Sequence, residues 1–184
     1  MTNWYPFIFT LHLAATLFMT GLIWVIQLLH YPSYHFIQLE KFKEYQHFHS
    51  TQITYIVGPM MLLEVFTGIY LTLQNNWASP LTFNFIGLCI IWISTLIFSI
   101  PAHNQLALGF NPQAIEHLLR TNWIRTITWT LRAVLLLVLS LKSWWLIGRK
   151  TFNFTLVGRI TNLDGVATNF AIFDVTLFTV LRQV

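Results

Sequence analysis

Long apolar runs separated by short polar stretches dominate the pattern along this chain. Four runs, at residues 4–29, 51–73, 81–100 and 123–146, contain few charged side chains or none. At about 1.5 Å per helical residue, each run is long enough to cross ~30 Å of hydrocarbon. The pattern therefore predicts an all-α membrane protein, built as an antiparallel four-helix transmembrane bundle with both termini on one side.

The connections between the runs predict short interfacial helices on the side opposite the termini. Residues 36–48 alternate charged with aromatic side chains, which is typical of a helix lying on a membrane surface. Pro101 predicts the end of the third span, and the Asn111-Pro112 turn precedes an amphipathic stretch at 113–120. The loop 74–80 is short enough to make the second and third spans neighbours.

The end of the chain differs in character from the rest. Residues 1–150 are predicted to form the four-span bundle, and residues 151–184 a separate tail. Phe152, Phe154 and Leu156 alternate with polar residues, and a turn signal and a second run of β-formers follow. This pattern predicts a β-hairpin rather than a fifth span.

Glu64 is the single charged side chain over residues 45–115, and it lies in the middle of the second span. An isolated charge in apolar surroundings is costly, so Glu64 needs a polar partner. Arg132 in the fourth span is the predicted partner, flanked by His12 and Gln27. The candidate catalytic residues are therefore Glu64, Arg132 and Gln27, with a purely structural ion pair as the alternative.

Polar positions in three of the spans recur at helical spacing and predict faces that converge. Polar groups on lipid-embedded helices face the interior of a bundle, so the stripes are expected to meet there. The stripes are His12, Thr16, Met19, Ile23, Gln27 and His30 in span 1; His49, Ile53, Ile56, Met60 and Glu64 in span 2; and Arg125, Trp129 and Arg132 in span 4.

Three histidines are predicted to lie together at the side opposite the termini. His30 ends the first span, His49 opens the second and His103 follows the third. Imidazole binds haem iron and transition metals and also transfers protons. With His12, these are the candidate cofactor-binding residues, for haem or a transition metal, while the identity of any metal stays open. The alternatives are a proton relay and histidines that merely sit at the interface.

Composition and charge narrow the class of protein. Hydrophobic residues make up 55% of the chain and charged residues 9%, too few for the surface of a soluble domain. The net charge of +4 does not indicate nucleic-acid binding, because the basic residues lie at span ends and in the tail. Lys142, Arg149 and Lys150 group on the side of the termini and predict that this side is cytoplasmic. Cys89 is the single cysteine, so no intrachain disulfide forms.

Six short motifs occur in order between about residues 8 and 140. They are GLIWVIQLLHYP at 21–32; Phe42, Tyr45 and His49; Val57, Gly58, Pro59, Met60 and Glu64; Trp92 and Thr95; Pro101 and His103; and Asn122, Trp123, Arg125, Thr126, Trp129 and Arg132. Together they resemble the signature of a broad, mostly uncharacterised bacterial family of four-span membrane proteins. That resemblance implies a multi-pass protein of the bacterial inner membrane.

Two more distant likenesses imply redox chemistry. The architecture is similar to that of the anthrone-oxygenase-like four-span family. Leu11-His12 followed by residues 21–23 resembles the first span of the membrane protoporphyrinogen oxidase family, in which a first-span histidine is implicated in haem binding. The arginine–leucine continuation of that family is absent here. By position, this resemblance implies that His12 binds haem.

The favoured functional prediction is a membrane-embedded oxidoreductase or oxygenase-like protein acting on an apolar small molecule. In it the three histidines hold a cofactor or relay protons, while Glu64 and Arg132 organise the pocket. The alternative is a non-enzymatic membrane protein, a subunit of a larger complex or a small carrier, whose polar column is structural or conducts protons. A third hypothesis is a lipid- or quinone-binding module. The lipid bilayer is the predicted partner, and the oligomeric state stays open.

Overall fold

The structure, a computed structural model, describes residues 4–75 and 79–161, with side chains given as far as Ser143 and at Trp145. Every regular element in these ranges is helical. Four helices are long and apolar enough to cross a membrane: Tyr5–Phe36, Leu39–Leu73, Pro80–Ala107 and Pro112–Ser143. The prediction of four long apolar helices is therefore confirmed.

These four helices are built from six α-helical elements, two π-helical turns and two 3₁₀ turns. The first consists of α1 (Tyr5–Val25), a π turn (Ile26–His30), α2 (Tyr31–Ser33) and a 3₁₀ turn (Tyr34–Phe36). The second is mainly α3 (Phe42–Leu73). The third consists of α4 (Pro80–Ser94), a π turn (Thr95–Ser99) and α5 (Ile100–Ala107), and α6 (Pro112–Thr161) forms the fourth. The chain divides into two compact units, Met1–Ser140 and Leu141–Val184.

The two predicted interfacial helices are instead the first turns of long helices. α3 already begins at Phe42, and the amphipathic stretch 113–120 lies inside α6. The physical reason is burial: Phe42 and Gln46 are fully buried, as are Ile115 and Leu118. These turns therefore pack one face against protein, and no helix-breaking residue separates them from the spans that follow.

Pro101 does not end the third long helix, contrary to the prediction. The helix continues to Ala107, and Pro101 comes two residues after the π turn Thr95–Ser99. Pro32 follows the π turn Ile26–His30 by the same two residues. Proline lacks an amide hydrogen and its ring crowds the carbonyl four residues earlier, so a wider turn just before it lets the helix continue.

The predicted strand around Phe152, Phe154 and Leu156 is wrong, because these residues belong to α6, which runs to Thr161. Extending a formed helix adds a hydrogen bond per residue without a new nucleus, whereas an isolated hairpin is marginal in stability. The remainder of the predicted hairpin, residues 162–184, lies outside the described residues.

Contacts between the long helices follow a consistent order. The pairs are His12 with Thr67, Thr16 with Glu64 and His30 with His49 between the first and second, and Thr20 with Trp129 and Gln27 with Leu119 between the first and fourth. In each set, residue numbers rise along one helix as they fall along its partner. Large apolar side chains such as Phe66, Leu96 and Leu131 are exposed on the outer faces, which is compatible with contact to lipid.

Candidate functional site

Glu64 is fully buried, and both oxygens of its carboxylate have polar partners. Its Oε1 lies 2.8 Å from Nη1 of Arg132 and accepts a 2.8 Å hydrogen bond from the Thr16 hydroxyl. Its Oε2 accepts a 3.1 Å hydrogen bond from Nε1 of Trp129. The predicted contact between Glu64 and Arg132 is therefore present, and two further donors support the carboxylate.

Arg132 is held from its other side by Asn84 of α4. Nε of Arg132 donates to the backbone carbonyl of Asn84 at 3.1 Å and to its Oδ1 at 3.3 Å, while Nδ2 of Asn84 donates back to the Arg132 carbonyl at 3.2 Å. The contact to Glu64 is a close ion pair and not an aligned hydrogen bond. Gly87 leaves room for this arginine, since a Cβ there would lie 3.0 Å from both Cγ and Cδ of Arg132.

His12 lies beside the ion pair but does not touch Glu64 through a hydrogen bond. Its Nδ1 is 2.7 Å from the Thr67 hydroxyl and its Nε2 is 3.2 Å from Oδ1 of Asn84, which also bonds Arg132. With both ring nitrogens engaged, iron ligation by His12 would require breaking one of these bonds. We call Glu64, Arg132, Asn84, His12 and Trp129 the ion-pair cluster.

Gln27 does not flank the ion pair, and that part of the prediction is wrong. It lies eleven residues beyond Thr16, about 16 Å further along the helix. Its Oε1 accepts a 2.8 Å hydrogen bond from Nδ2 of Asn122, and its Nε2 donates to the Leu119 carbonyl at 3.2 Å. Gln27 thus links the first and fourth long helices.

Arg125 occupies the same level as Gln27 and is almost fully buried, with 6% of its surface exposed. Its Nη1 donates to the Ser99 hydroxyl at 3.1 Å and to Oδ1 of Asn122 at 3.3 Å. Its guanidinium carbon lies 5.3 Å from the centre of the Trp129 ring, a cation–π distance. Trp129 therefore separates Arg125 from Glu64, with one group on its face and the other at its Nε1.

His30, His49 and His103 meet at one end of the fold, as their positions in the chain predict. The His30 and His49 rings stack with centroids 4.0 Å apart, and the His103 ring is 5.7 Å from that of His49. Nε2 of His103 is 3.2 Å from the Tyr31 hydroxyl, and its Nδ1 is 3.0 Å from Nε2 of Gln46. We call His30, His49 and His103 the histidine cluster.

The hydrogen bonds of His103 define its protonation pattern. The Gln46 amide donates to Nδ1, so a neutral His103 carries its proton on Nε2 and donates it to the Tyr31 oxygen. Nε2 of His30 and the Tyr34 hydroxyl are buried and have no hydrogen-bond partner among the described residues. Around the histidine cluster, some nitrogens and hydroxyls therefore form hydrogen bonds within the protein, and others have no partner among the described residues.

The histidine cluster does not fit a metal ion held by three ligands. Within residues 4–75 and 79–143, no group of three His, Cys, Asp or Glu side chains is arranged to hold a metal. Stacked rings such as His30 and His49 cannot aim their nitrogens at a common ion from opposite sides. Nε2 of His30 has no hydrogen-bond partner among the described residues, so haem ligation through this atom would break no hydrogen bond.

Several site residues were not predicted from the sequence. Asn84 and Thr67 position His12, Gln46 and Tyr31 position His103, and Asn122 and Ser99 bind Arg125. Asn84, Thr67 and Ser99 share a signal, an uncharged polar side chain inside an apolar stretch, whereas Gln46 lies in the polar segment 41–50 and gives no such signal. Comparisons with protein families, curated proteins and solved structures found no match to this chain. The family resemblance therefore stays a prediction.

Proposed function

We propose that this chain is a multi-pass membrane protein whose four long helices form an antiparallel transmembrane bundle. The reversed order of contacts between the first helix and the second and fourth supports this arrangement. The exposed apolar outer faces and the polar interior agree with the distribution expected in lipid. Both ends of the bundle then lie on one side, for which we propose the cytoplasm.

We further propose that the histidine cluster is a proton-transfer site, serving an oxidoreductase or oxygenase-like reaction on an apolar small molecule. The observation that carries this is the stacking of His30 and His49 next to the hydrogen-bonded chain from Gln46 through His103 to Tyr31. A neutral imidazole has one donor and one acceptor nitrogen, so His103 can exchange a proton with the Tyr31 hydroxyl through the hydrogen bond between them.

The distance between His30 and His49 disfavours a positive charge on both rings at once. Two unit charges about 4 Å apart repel by about 4 kcal/mol at an effective dielectric constant of ~20. Protonation of one ring therefore disfavours protonation of the other. A pair with one exchangeable proton is suited to accepting it from a substrate and releasing it to another group.

The ion-pair cluster is better explained as structural. Both oxygens of Glu64 and both ring nitrogens of His12 are engaged within the protein. Between this cluster and Gln27, the first helix presents the buried apolar side chains Met19 and Ile23. An indole ring and a guanidinium do not form a proton wire, so the Trp129–Arg125 contact argues against proton conduction along the whole column.

The second candidate function is a cofactor-binding oxidoreductase, favoured by the open Nε2 of His30. If haem were bound, His30 would be its ligand, and the iron would supply the redox step. A visible absorption spectrum and metal analysis of the purified protein separate the two candidates. If the histidine cluster transfers protons without haem, the visible spectrum contains no band that depends on His30, and His30→Phe leaves the spectrum unchanged. A stoichiometric haem band lost in that variant would overturn the proton-transfer proposal.

Labelling of single cysteines tests the membrane arrangement. In a Cys89→Ser background, Gln38→Cys and Gly109→Cys should react with an impermeant maleimide from one side of sealed vesicles. Asn75→Cys should react only from the other side. Reaction of all three positions from the same side would contradict the antiparallel transmembrane bundle.

A further inference from the structure

The buried charges of the described fold do not sum to zero. Arg125 and Arg132 are two guanidinium groups with 6% and 3% of their surfaces exposed, and Glu64 is one carboxylate with none. Glu64 lies in an ion pair with Arg132. Among the described residues, no carboxylate forms an ion pair with Arg125. One buried positive charge therefore has no counter-charge.

The neighbours of Arg125 compensate only part of this charge. Ser99 and Asn122 accept hydrogen bonds from Nη1, and Trp129 offers the face of its ring. Arg125 also interacts with the side chain of Tyr31, which bonds His103. Nε of Arg125 has no hydrogen-bond partner within the described residues. A buried ion held by neutral groups alone is costly, and an anion is the usual compensation.

We infer that Arg125 binds the oxyanion of a ring-bearing, apolar small molecule, a carboxylate or phenolate, at the proton-transfer site. This inference rests on the proposed function and deepens it by naming the class of ligand. The guanidinium edge at Nε suits an oxyanion, because charge-assisted hydrogen bonds to carboxylates are strong and directional. Tyr31, which interacts with Arg125, packs ring against ring with Tyr34 and His103, so the ring of a ligand at Arg125 would lie among aromatic side chains.

A surface groove lies beside Tyr45 at this end of the fold. A groove of about 460 Å³ is lined by Phe36, Lys41, Tyr45 and Phe48, among others. Phe36 is 87% exposed and Phe48 is 61% exposed, so the groove is rimmed by rings. Lys41 and Glu44 both line the groove, so their charges balance, and the preference for an anion rests on Arg125. Tyr45 also stacks on His30, with ring centroids 6.3 Å apart, so the groove borders the histidine cluster.

The first test compares two arginine variants without added ligand. Arg132→Gln removes the partner of Glu64 and should lower the midpoint of thermal unfolding of the purified full chain. Arg125→Gln removes a charge that has no carboxylate partner among the described residues, so its midpoint should stay close to that of the wild type. A drop for Arg125→Gln of half or more of the drop for Arg132→Gln would show that Arg125 is structurally compensated, and would overturn the inference.

The second test measures binding of a probe, 2-naphthoate, against its neutral isostere 2-naphthamide. At a concentration a hundredfold above its Kd, naphthoate should raise the wild-type midpoint by about 5–10 °C. Naphthamide should not. Arg125→Gln should weaken naphthoate binding about tenfold or more, whereas Phe66→Ala, an exposed ring on α3, should leave it unchanged.

Three outcomes would contradict the inference. They are no stabilisation by naphthoate, equal stabilisation by naphthamide, and equal stabilisation by inorganic phosphate. The last outcome would show that the apolar ring contributes nothing to binding. The titration of the histidine cluster, followed by NMR in the same preparations, reports on proton transfer separately. Coupled histidines without naphthoate binding would leave the proton-transfer proposal standing and reject the ligand class. Naphthoate binding with uncoupled histidines would support the ligand class and reject the proton-transfer proposal.

Discussion

Nη1 of Arg132 lies 2.8 Å from Oε1 of Glu64, and neither side chain has more than 3% of its surface exposed. In lipid, each of these charges alone costs about 2.5–3.5 kcal/mol on insertion scales. Their contact therefore fixes the second and fourth long helices relative to each other. Thr16 and Trp129 complete the contacts of the carboxylate, so the pair is held from the first helix as well.

A double-mutant cycle on this pair should show strong coupling. Glu64→Gln and Arg132→Gln should each cost about 3–5 kcal/mol, because each leaves the other group buried without a counter-charge. The double variant should cost about as much as either single variant. Reversible unfolding in mixed micelles measures all four free energies, and additive losses would rule out the pair as a stabilising unit.

Trp129→Phe should destabilise the protein by about 1.5–3 kcal/mol, because it removes the hydrogen bond to Oε2 of Glu64 and keeps a ring beneath Arg125. Trp123→Phe is the matched control, since Trp123 is 40% exposed and packs edge-on against Trp24. The same unfolding assay compares the two variants. Equal losses would mean that the hydrogen bond from Nε1 contributes nothing specific.

Gly87→Ala should cost about 1–3 kcal/mol, since the new Cβ would lie 3.0 Å from two carbons of the Arg132 side chain. Gly21→Ala should have the opposite sign. A Cβ at Gly21 meets nothing within 4 Å, and alanine is favoured over glycine in a helix by about 0.5–1 kcal/mol. Thermal unfolding of both variants measures the two effects. A loss of stability in Gly21→Ala would refute the predicted difference in sign.

Gln27→Leu should cost about 1–3 kcal/mol, because it leaves the buried Asn122 amide and the Leu119 carbonyl without their partners. The exposed Gln105 gives the control, and Gln105→Leu should change stability by no more than about 0.5 kcal/mol. Because Gln27 contacts neither cluster, its substitution should leave the histidine titrations unchanged. A change in those titrations would return Gln27 to the candidate site.

The sequence predicted the parts of the site that follow from the cost of burying charge. Glu64 needed a cation, and the long side chain of Arg132, which starts nearer the other face, could reach the level of Glu64. The histidine cluster followed from three span ends meeting at one face. The neutral partners Asn84 and Gln46 carry no such requirement, since an uncharged amide can be satisfied in many ways, and their roles depend on helix rotations that the sequence does not specify.

The remaining differences in the fold have local physical causes. The π turns before Pro32 and Pro101 depend on small changes in helix winding that hydrophobic periodicity does not register. The start of α3 at Phe42 depends on burial of Phe42 and Gln46 against other helices. Charge alternation alone made the same segment resemble a surface helix.

The titration of the histidine cluster, followed by ¹⁵N and ¹³C NMR on histidine-labelled protein in lipid nanodiscs, tests the proposed proton transfer most directly. Because the rings of His30 and His49 are 4.0 Å apart, protonation of one must affect the other. His49→Phe should therefore change the titration curves of both His30 and His103. His47→Phe, an exposed position on the same helix, should leave both curves unchanged. Independent titration of the three histidines, unaffected by His49→Phe, would contradict proton transfer at this site.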